Sequence, residues 1–358
     1  MILFEFFQEV WHNNIRHLPL IGQLTCGFLA FTCLPLLVSV VSISVCILVP
    51  MRIISKFTTK WCTCKNRMDG KTVLLTGATS GIGYEAALDL ARRGARLILP
   101  VRNMEKGKTV SSTISRLTGN KNINLKFMDL ANLDSVREFC QSLVAEEARI
   151  DVLINNAGNA PWEKVIDITD DGLEYQMASN YFGHFLMTNL IIDLMKNAAP
   201  SRIINMGSKV HWRSTDLDMD NLNFQRGDAG YWKIYGASKL CMMLFTKELS
   251  RKLEDDGVVV NTMHPGVVDT PIYDRQPTYI RLLLWIPRKI LFRSPKEGAQ
   301  TLIHLAVAPE VQNISGKYFV DCKESSWYSC VVEDTGMAKR LWKKSCELVQ
   351  LQEKDLRI

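Results

Sequence analysis

The sequence has no block of like charge, no internal repeat and no low-complexity tract. Its 43 lysines and arginines are interspersed with 37 acids, and the net charge is only +6. That balance excludes the basic stripe with which a protein follows a phosphate backbone, so no nucleic-acid partner is expected. Ten cysteines are present, yet none has zinc-ligand spacing. Cys62 and Cys64 are too close for the usual zinc pair, and no metal site is expected.

A second absence is more telling. Residues 18–50 contain no charged side chain, 33 positions in all. Crossing a hydrocarbon core takes about 20 apolar residues. A cleaved signal peptide has a shorter apolar stretch that starts earlier, and a core helix keeps a polar face. Residues 20–50 are therefore expected to be a membrane anchor, after an N-terminal lead over residues 1–19. Pro35 divides the anchor and allows a kinked span or a re-entrant hairpin. Arg52, Lys56, Lys60, Lys65, Arg67 and Lys71 follow it, against one acid, Asp69. This basic flank, with its linker over residues 51–68, places the next domain on the cytosolic side. The expected location is the endoplasmic reticulum membrane, with a lipid droplet or mitochondrial membrane as alternatives. A cytosolic setting keeps the cysteines reduced and leaves the sequon at Asn313 bare. Cys62 and Cys64, just beyond the anchor, are candidates for palmitoylation.

From Thr72 onward, strand-like and helical patterns alternate. Strand candidates are residues 72–76, 96–101, 122–128, 151–154, 202–206, 258–263 and 317–320. The alternation predicts an α/β fold: a doubly wound parallel sheet of the Rossmann type, with about seven strands. The domain is expected over residues 69–322, with a C-terminal extension over 323–358. Ligands of such sheets bind at the carboxyl ends of the strands.

Chemistry-bearing residues fall at those ends. Thr76-Gly77-Ala78-Thr79-Ser80-Gly81-Ile82-Gly83 follows the first strand and opens a helix. Glycines let the backbone approach a pyrophosphate, and the helix N-terminus offers N–H donors. Asn155-Asn156-Ala157-Gly158 follows the fourth strand, Ser208 the fifth and His264-Pro265-Gly266 the sixth. Asn180 lies in a helical pattern. Tyr235 and Lys239 share one helix face. A nearby ammonium lowers a phenol's pKa toward neutrality, which suits proton exchange with an alcohol or carbonyl oxygen. Each motif alone reads equally as a turn, a cap or a packed helix residue. Their order and placement together do not.

With these motifs in this order, the chain resembles the short-chain dehydrogenase/reductase family over about residues 69–320. The resemblance implies a catalytic tetrad of Asn180, Ser208, Tyr235 and Lys239. In it, Tyr235 exchanges the proton and Ser208 hydrogen-bonds the substrate oxygen. Lys239 lowers the Tyr235 pKa and holds the nicotinamide ribose, and Asn180 positions a water that connects Lys239 to solvent. It also implies that a nucleotide is held by Gly77, Ser80, Gly81, Ile82, Gly83, Asp129, Leu130, Asn156, Ala157, Gly158, Pro265, Gly266 and Val268, with Tyr235 and Lys239. The interval of 27 from Ser208 to Tyr235, and the stretch over residues 181–190, are similar to the microsomal retinol dehydrogenase-like subgroup. Nothing here requires an imidazole: His184 reads as a packing residue, and His211 is left open.

An NAD-preferring site places an acid after the second strand. Leu99-Pro100-Val101-Arg102-Asn103 has none. Arg102 suits a 2′-phosphate through charge-assisted hydrogen bonds, so NADP(H) is the expected cofactor. The substrate flap, residues 271–295, is apolar with interleaved arginine and lysine. It reads equally as an interfacial segment and as a flap packed on its own core. The expected function is a membrane-anchored oxidoreductase moving a hydride between NADP(H) and a lipophilic alcohol or carbonyl, such as a retinoid, a steroid or a fatty aldehyde. The alternative is a non-catalytic nucleotide-binding or lipid-surface protein on the same fold. The oligomeric state is left open.

Overall fold

The computed structural model describes residues 59–160, 166–227, 230–274 and 276–352, with scattered positions outside them. The chain divides into two compact units, Met1–Phe57 and Thr58–Ile358. Of the charge-free run, only Ser39, Cys46 and Pro50 are described, so the expected anchor lies almost wholly outside the described residues. No helix among the described residues is long and apolar enough to cross a membrane.

In the second unit the apolar β-branched runs form strands and the periodic runs form helices. The first half contains β1 (Thr72–Leu75), α1 (Gly81–Arg92), β2 (Arg96–Val101), α2 (Met104–Thr118), β3 (Ile123–Phe127), α3 (Leu133–Glu146) and β4 (Val152–Asn155). Then α4 (Tyr175–Met177) passes through a π turn, Ala178–Phe182, into α5 (Gly183–Leu190) and α6 (Ile192–Lys196). The second half contains β5 (Ser201–Met206), α7 (Tyr231–Lys252), β6 (Val258–His264), α8 (Thr278–Ile290), α9 (Pro295–Gly298), α10 (Gln300–Val307), β7 (Tyr318–Val320), β8 (Lys323–Glu324) and α11 (Thr335–Leu348).

The sheet order is β3-β2-β1-β4-β5-β6-β7-β8. Strands β1 to β7 run parallel, and β8 pairs antiparallel with β7. The sheet thus has eight strands, one more than expected. Two residues carry no period, so β8 leaves no pattern to read. The order reverses between β1 and β4, the switch point where such sheets open a crevice.

Both faces of the sheet are covered. On β1, Leu74 joins one core with α3, α5 and α7, while Val73 and Leu75 join the other with α1 and α10. Burial on both faces is why these strands read as continuous apolar runs rather than alternating ones. The C-terminal segment completes the first core. Helix α11 sets Trp342 against Phe185 and Phe245, with ring centroids 5.1 and 5.8 Å away. The Tyr181 hydroxyl bonds Ser345 Oγ at 2.8 Å. Fully burying a side chain such as Phe185 contributes about 1.5–3 kcal/mol. Residues 59–68 also lie along this unit: Arg93 Nη1 donates to the carbonyls of Cys64 and Asn66, both at 2.9 Å.

Candidate active site

A cleft of about 1060 Å³ opens at the carboxyl ends of the strands. Its phosphate end is made of backbone. A Cβ on Gly83 would lie 2.2 Å from the Gly77 carbonyl oxygen, and one on Gly77 would lie 2.8 Å from Ala157 Cα. Gly81 has φ +58°, a left-handed conformation that other residues adopt with strain. Ser80 stands at the N-cap of α1 without a side-chain cap bond. The first-turn N–H groups are thus left for an anion, and the cradle fits a pyrophosphate.

Thr76 locks this cradle to the loop after β4. Its Oγ1 accepts the N–H of Asn156 at 2.9 Å and of Ala157 at 3.0 Å. It also lies 3.0 Å from His184 Nε2. His184 Nδ1 faces the Asn180 carbonyl at 3.4 Å, so Nδ1 carries the hydrogen and Nε2 receives the Thr76 proton. Burial, with Lys239 nearby, drops the His184 pKa to about 3, which keeps the ring neutral. His184 is therefore more than a packing residue. It joins the cradle to the Asn180 turn, and no local spacing announces it because Thr76 lies 108 residues away.

The expected reactive groups meet at the middle of the cleft. Ser208, Tyr235 and Lys239 line it, whereas Asn180 lies behind Gly158 and does not. Ser208 caps the turn Lys209–Arg213 and hydrogen-bonds the Tyr235 phenol. Lys239 is buried, and its Nζ donates to the Met206 carbonyl at 3.0 Å. The Asn180 side chain bonds the Asn159 backbone twice, giving and accepting at 2.8 Å. A Cβ on Gly158 would lie 3.3 Å from Asn180 Oδ1 and 3.5 Å from Lys239 Nζ, so glycine keeps a gap open between the two.

One electrostatic expectation changes. Enclosure, with Tyr273 nearby, pushes the Tyr235 phenol above its ordinary value, and the Ser208 hydrogen bond opposes the rise. Lys239 Nζ sits 5.7 Å from the Tyr235 ring centroid. Burial lowers its own pKa to about 8. Desolvation is thus the largest influence on the phenol.

His211 receives a place as well. It is fully buried. Its Nε2 accepts the Ser329 N–H at 3.2 Å, and its Nδ1 lies 2.6 Å from the Ser208 carbonyl. The partners fix a neutral ring with the hydrogen on Nδ1. His211 thereby ties the Ser208 backbone to the C-terminal segment.

Every residue expected to touch a nucleotide lines this cleft. Arg102, half-exposed, donates to the Tyr175 hydroxyl at 2.6 Å and lies 3.8 Å from Asp129. Asp129 Oδ1 accepts the Ala131 N–H at 3.0 Å. The Pro265-Gly266 loop is held by Arg293, which reaches the Pro265 carbonyl at 3.4 Å and pairs with Asp321 at 2.7 Å. Tyr175, Asn159, Arg293 and Asp321 escape sequence reading because their partners are distant in the chain. Beyond Tyr235 the lining turns aromatic, with Trp212, Trp232, Tyr273 and Trp327. Gln276 lines this part too, and its buried Oε1 has no hydrogen-bond partner among the described residues.

A family model described as enoyl-(acyl carrier protein) reductase matches residues 77–321. Human retinol dehydrogenase 13 is 42% identical over 307 residues, covering 83% of this chain and 89% of that protein. Human retinol dehydrogenase 14 is 40% identical, covering 79% and 88%. The chain belongs to the short-chain dehydrogenase/reductase family. It is an oxidoreductase of that family, on a fold that binds a nicotinamide cofactor. A solved structure, the Pseudomonas aeruginosa RhlG/NADP active-site complex, is similar with a TM-score of 0.56 and 25% identity, covering 71% of this chain and 95% of that one.

Proposed function

We propose that this short-chain dehydrogenase/reductase is membrane-anchored and moves a hydride between NADP(H) and a lipophilic alcohol or carbonyl. The observation that carries the reading is the convergence of Ser208, Tyr235 and Lys239 between a backbone-built phosphate cradle and an aromatic chamber. When bound, the nicotinamide supplies or takes the hydride. In the reducing direction Tyr235 gives its proton to the carbonyl oxygen, and Ser208 hydrogen-bonds that oxygen as charge develops. Lys239, charged below about pH 8, stabilises the phenolate left behind. Asn180 holds the Asn159 backbone and borders the gap beside Gly158, through which a water reaches Lys239. Arg102, already aimed by Tyr175, pairs with a 2′-phosphate. The tryptophans suit a flat apolar substrate, and the relatives' names support a retinoid-like one. The charge-free run supports the anchor.

The test is Tyr235→Phe in retinal reduction with NADPH. Turnover should fall by about 10²–10⁴-fold, the usual contribution of a positioned acid, while NADPH binding is kept. Retention of more than a few per cent of kcat would sink Tyr235 as the acid. If the wild type turns over no retinoid, steroid or fatty aldehyde, the non-catalytic reading takes its place. Topology is read at Asn313, which is exposed. A glycan there would put the domain in the lumen and refute the cytosolic orientation.

A further inference from the structure

Helix α8 carries the three most exposed large apolar side chains among the described residues: Leu282 at 72%, Tyr279 at 70% and Trp285 at 63%. Soluble surfaces scatter such residues singly. Here helical geometry gathers them: Thr278, Leu282, Trp285 and Lys289 share one face, with Tyr279 and Arg281 at its edges. The opposite side, with Ile280, Leu284, Pro287 and Ile290, is half-buried. The helix is fastened from beneath. Arg288 pairs with Asp269 at 2.7 Å and with Asp274 at 3.0 Å. One side of the helix is thus packed on its own unit and the other is open.

The helix contains no acid, and its charged residues are Arg281, Arg288 and Lys289. It follows closely on Tyr273 and Gln276, which line the cleft. Val267, Trp212 and Trp327 also line the cleft and are exposed. The most exposed apolar surface therefore adjoins the substrate side of the cleft.

We propose that α8 docks flat on the anionic surface of a lipid bilayer, Leu282 and Trp285 inserted, so that the cleft takes its substrate at the hydrocarbon boundary. Three features choose the occupant. Tryptophan and tyrosine settle at headgroup level. Arg288 is held by Asp269 and Asp274, and Lys289 lies 3.6 Å from Asp269; Arg281, with no acidic partner among the described residues, and the exposed Lys289 complement anionic headgroups. A second copy of the chain would set like charges against each other. Three side chains also bury far less than the roughly 1,000 Å² a stable dimer needs. The inference deepens the proposed function and rests on it only for the lipophilic substrate.

The experiment uses the full chain reconstituted into vesicles with brominated acyl chains, with and without phosphatidylserine. Trp285→Phe removes one of eight tryptophans. Bromolipid should quench the wild type more than this variant, and the difference should shrink without phosphatidylserine. Leu282→Ser with Trp285→Ser should raise the KM for vesicle-dissolved retinal severalfold, with kcat and NADPH affinity unchanged. Quenching of Trp285 by aqueous acrylamide but not by bromolipid would overturn docking. So would a cross-link between two copies at position 282. Quenching reads docking even in an inactive protein, so the failure of this idea is distinguishable from failure of the proposed reaction.

Discussion

The two ends of the cleft are built from different materials. The phosphate end is backbone: glycines whose missing Cβ atoms would collide, and an α1 N-terminus without a side-chain cap. The substrate end is side chain: Trp212, Trp232, Tyr273 and Trp327, beside a helix half open to solvent. The difference suits the proposed ligands. A pyrophosphate demands N–H donors in fixed places, which only a pinned backbone supplies. An apolar substrate demands area, which is non-directional and tolerates movement. The first end should therefore fail abruptly when altered, and the second gradually.

The largest expected effect tests that contrast. In Gly83→Ala the new Cβ would lie 2.2 Å from the Gly77 carbonyl oxygen, so the loop must part. NADPH affinity should drop by more than about 100-fold, or roughly 2.7 kcal/mol, by calorimetry. Trp327→Ala, at the other end, should raise the substrate KM severalfold and leave NADPH binding alone. Equal losses from both changes would break the comparison.

The contrast also explains what was legible in the sequence. Backbone sites need glycine at fixed intervals beside a strand, and Gly77, Gly81 and Gly83 announce themselves that way. The inner strands β1 and β4 were legible because burial on both faces leaves unbroken apolar runs, whereas the edge strand β3 is only half-buried. Side-chain networks are different. Thr76 with His184, His211 with Ser329 and Arg293 with Asp321 join positions far apart in the chain. Only the fold brings them together. Tyr235 differs for a related reason: helical spacing shows the ammonium, whereas the enclosure that raises the phenol's pKa shows only in the folded chain.

The next effect sharpens the boundary between the two ends. Arg102→Ala should cost about 1.5–3 kcal/mol in NADPH binding, tenfold or more, by loss of a charge-assisted contact. NADH should be little affected. Equal weakening of both nucleotides, or of neither, would remove the 2′-phosphate assignment.

A smaller effect follows from His184. Its folded-state pKa is about 3, against an ordinary value of about 6.5. Below about pH 6.5 the unfolded chain gains a proton that the folded ring refuses. Stability contributed by the neutral ring is therefore complete above pH 6.5 and is lost as pH falls toward 3. The slope is about 1.4 kcal/mol per pH unit for one such group. Melting temperature should drop between pH 7 and pH 5, and His184→Gln should flatten that drop. An unchanged slope would show that the ring already titrates normally.

The smallest expected effect lies at the seam between the cleft and the C-terminal segment. His211 joins the Ser208 carbonyl to the Ser329 N–H through a neutral ring, and burial lowers its pKa. Protonating Nε2 would aim one N–H at another and push Ser329 away. Ser208 would keep its bond to Nδ1–H but lose its link to the C-terminal segment at low pH, and kcat would decline on the acid side while NADPH affinity stays level. His211→Asn retains a short donor but does not span to Ser329, so it should lower kcat a fewfold and erase the acid decline. Ser329 has φ −61°, already near the value proline requires. Ser329→Pro removes the N–H without opposing that angle and should reproduce the His211→Asn profile. If both variants lowered stability but left the pH profile of kcat intact, the imidazole would be holding the C-terminal segment in place and nothing at Ser208.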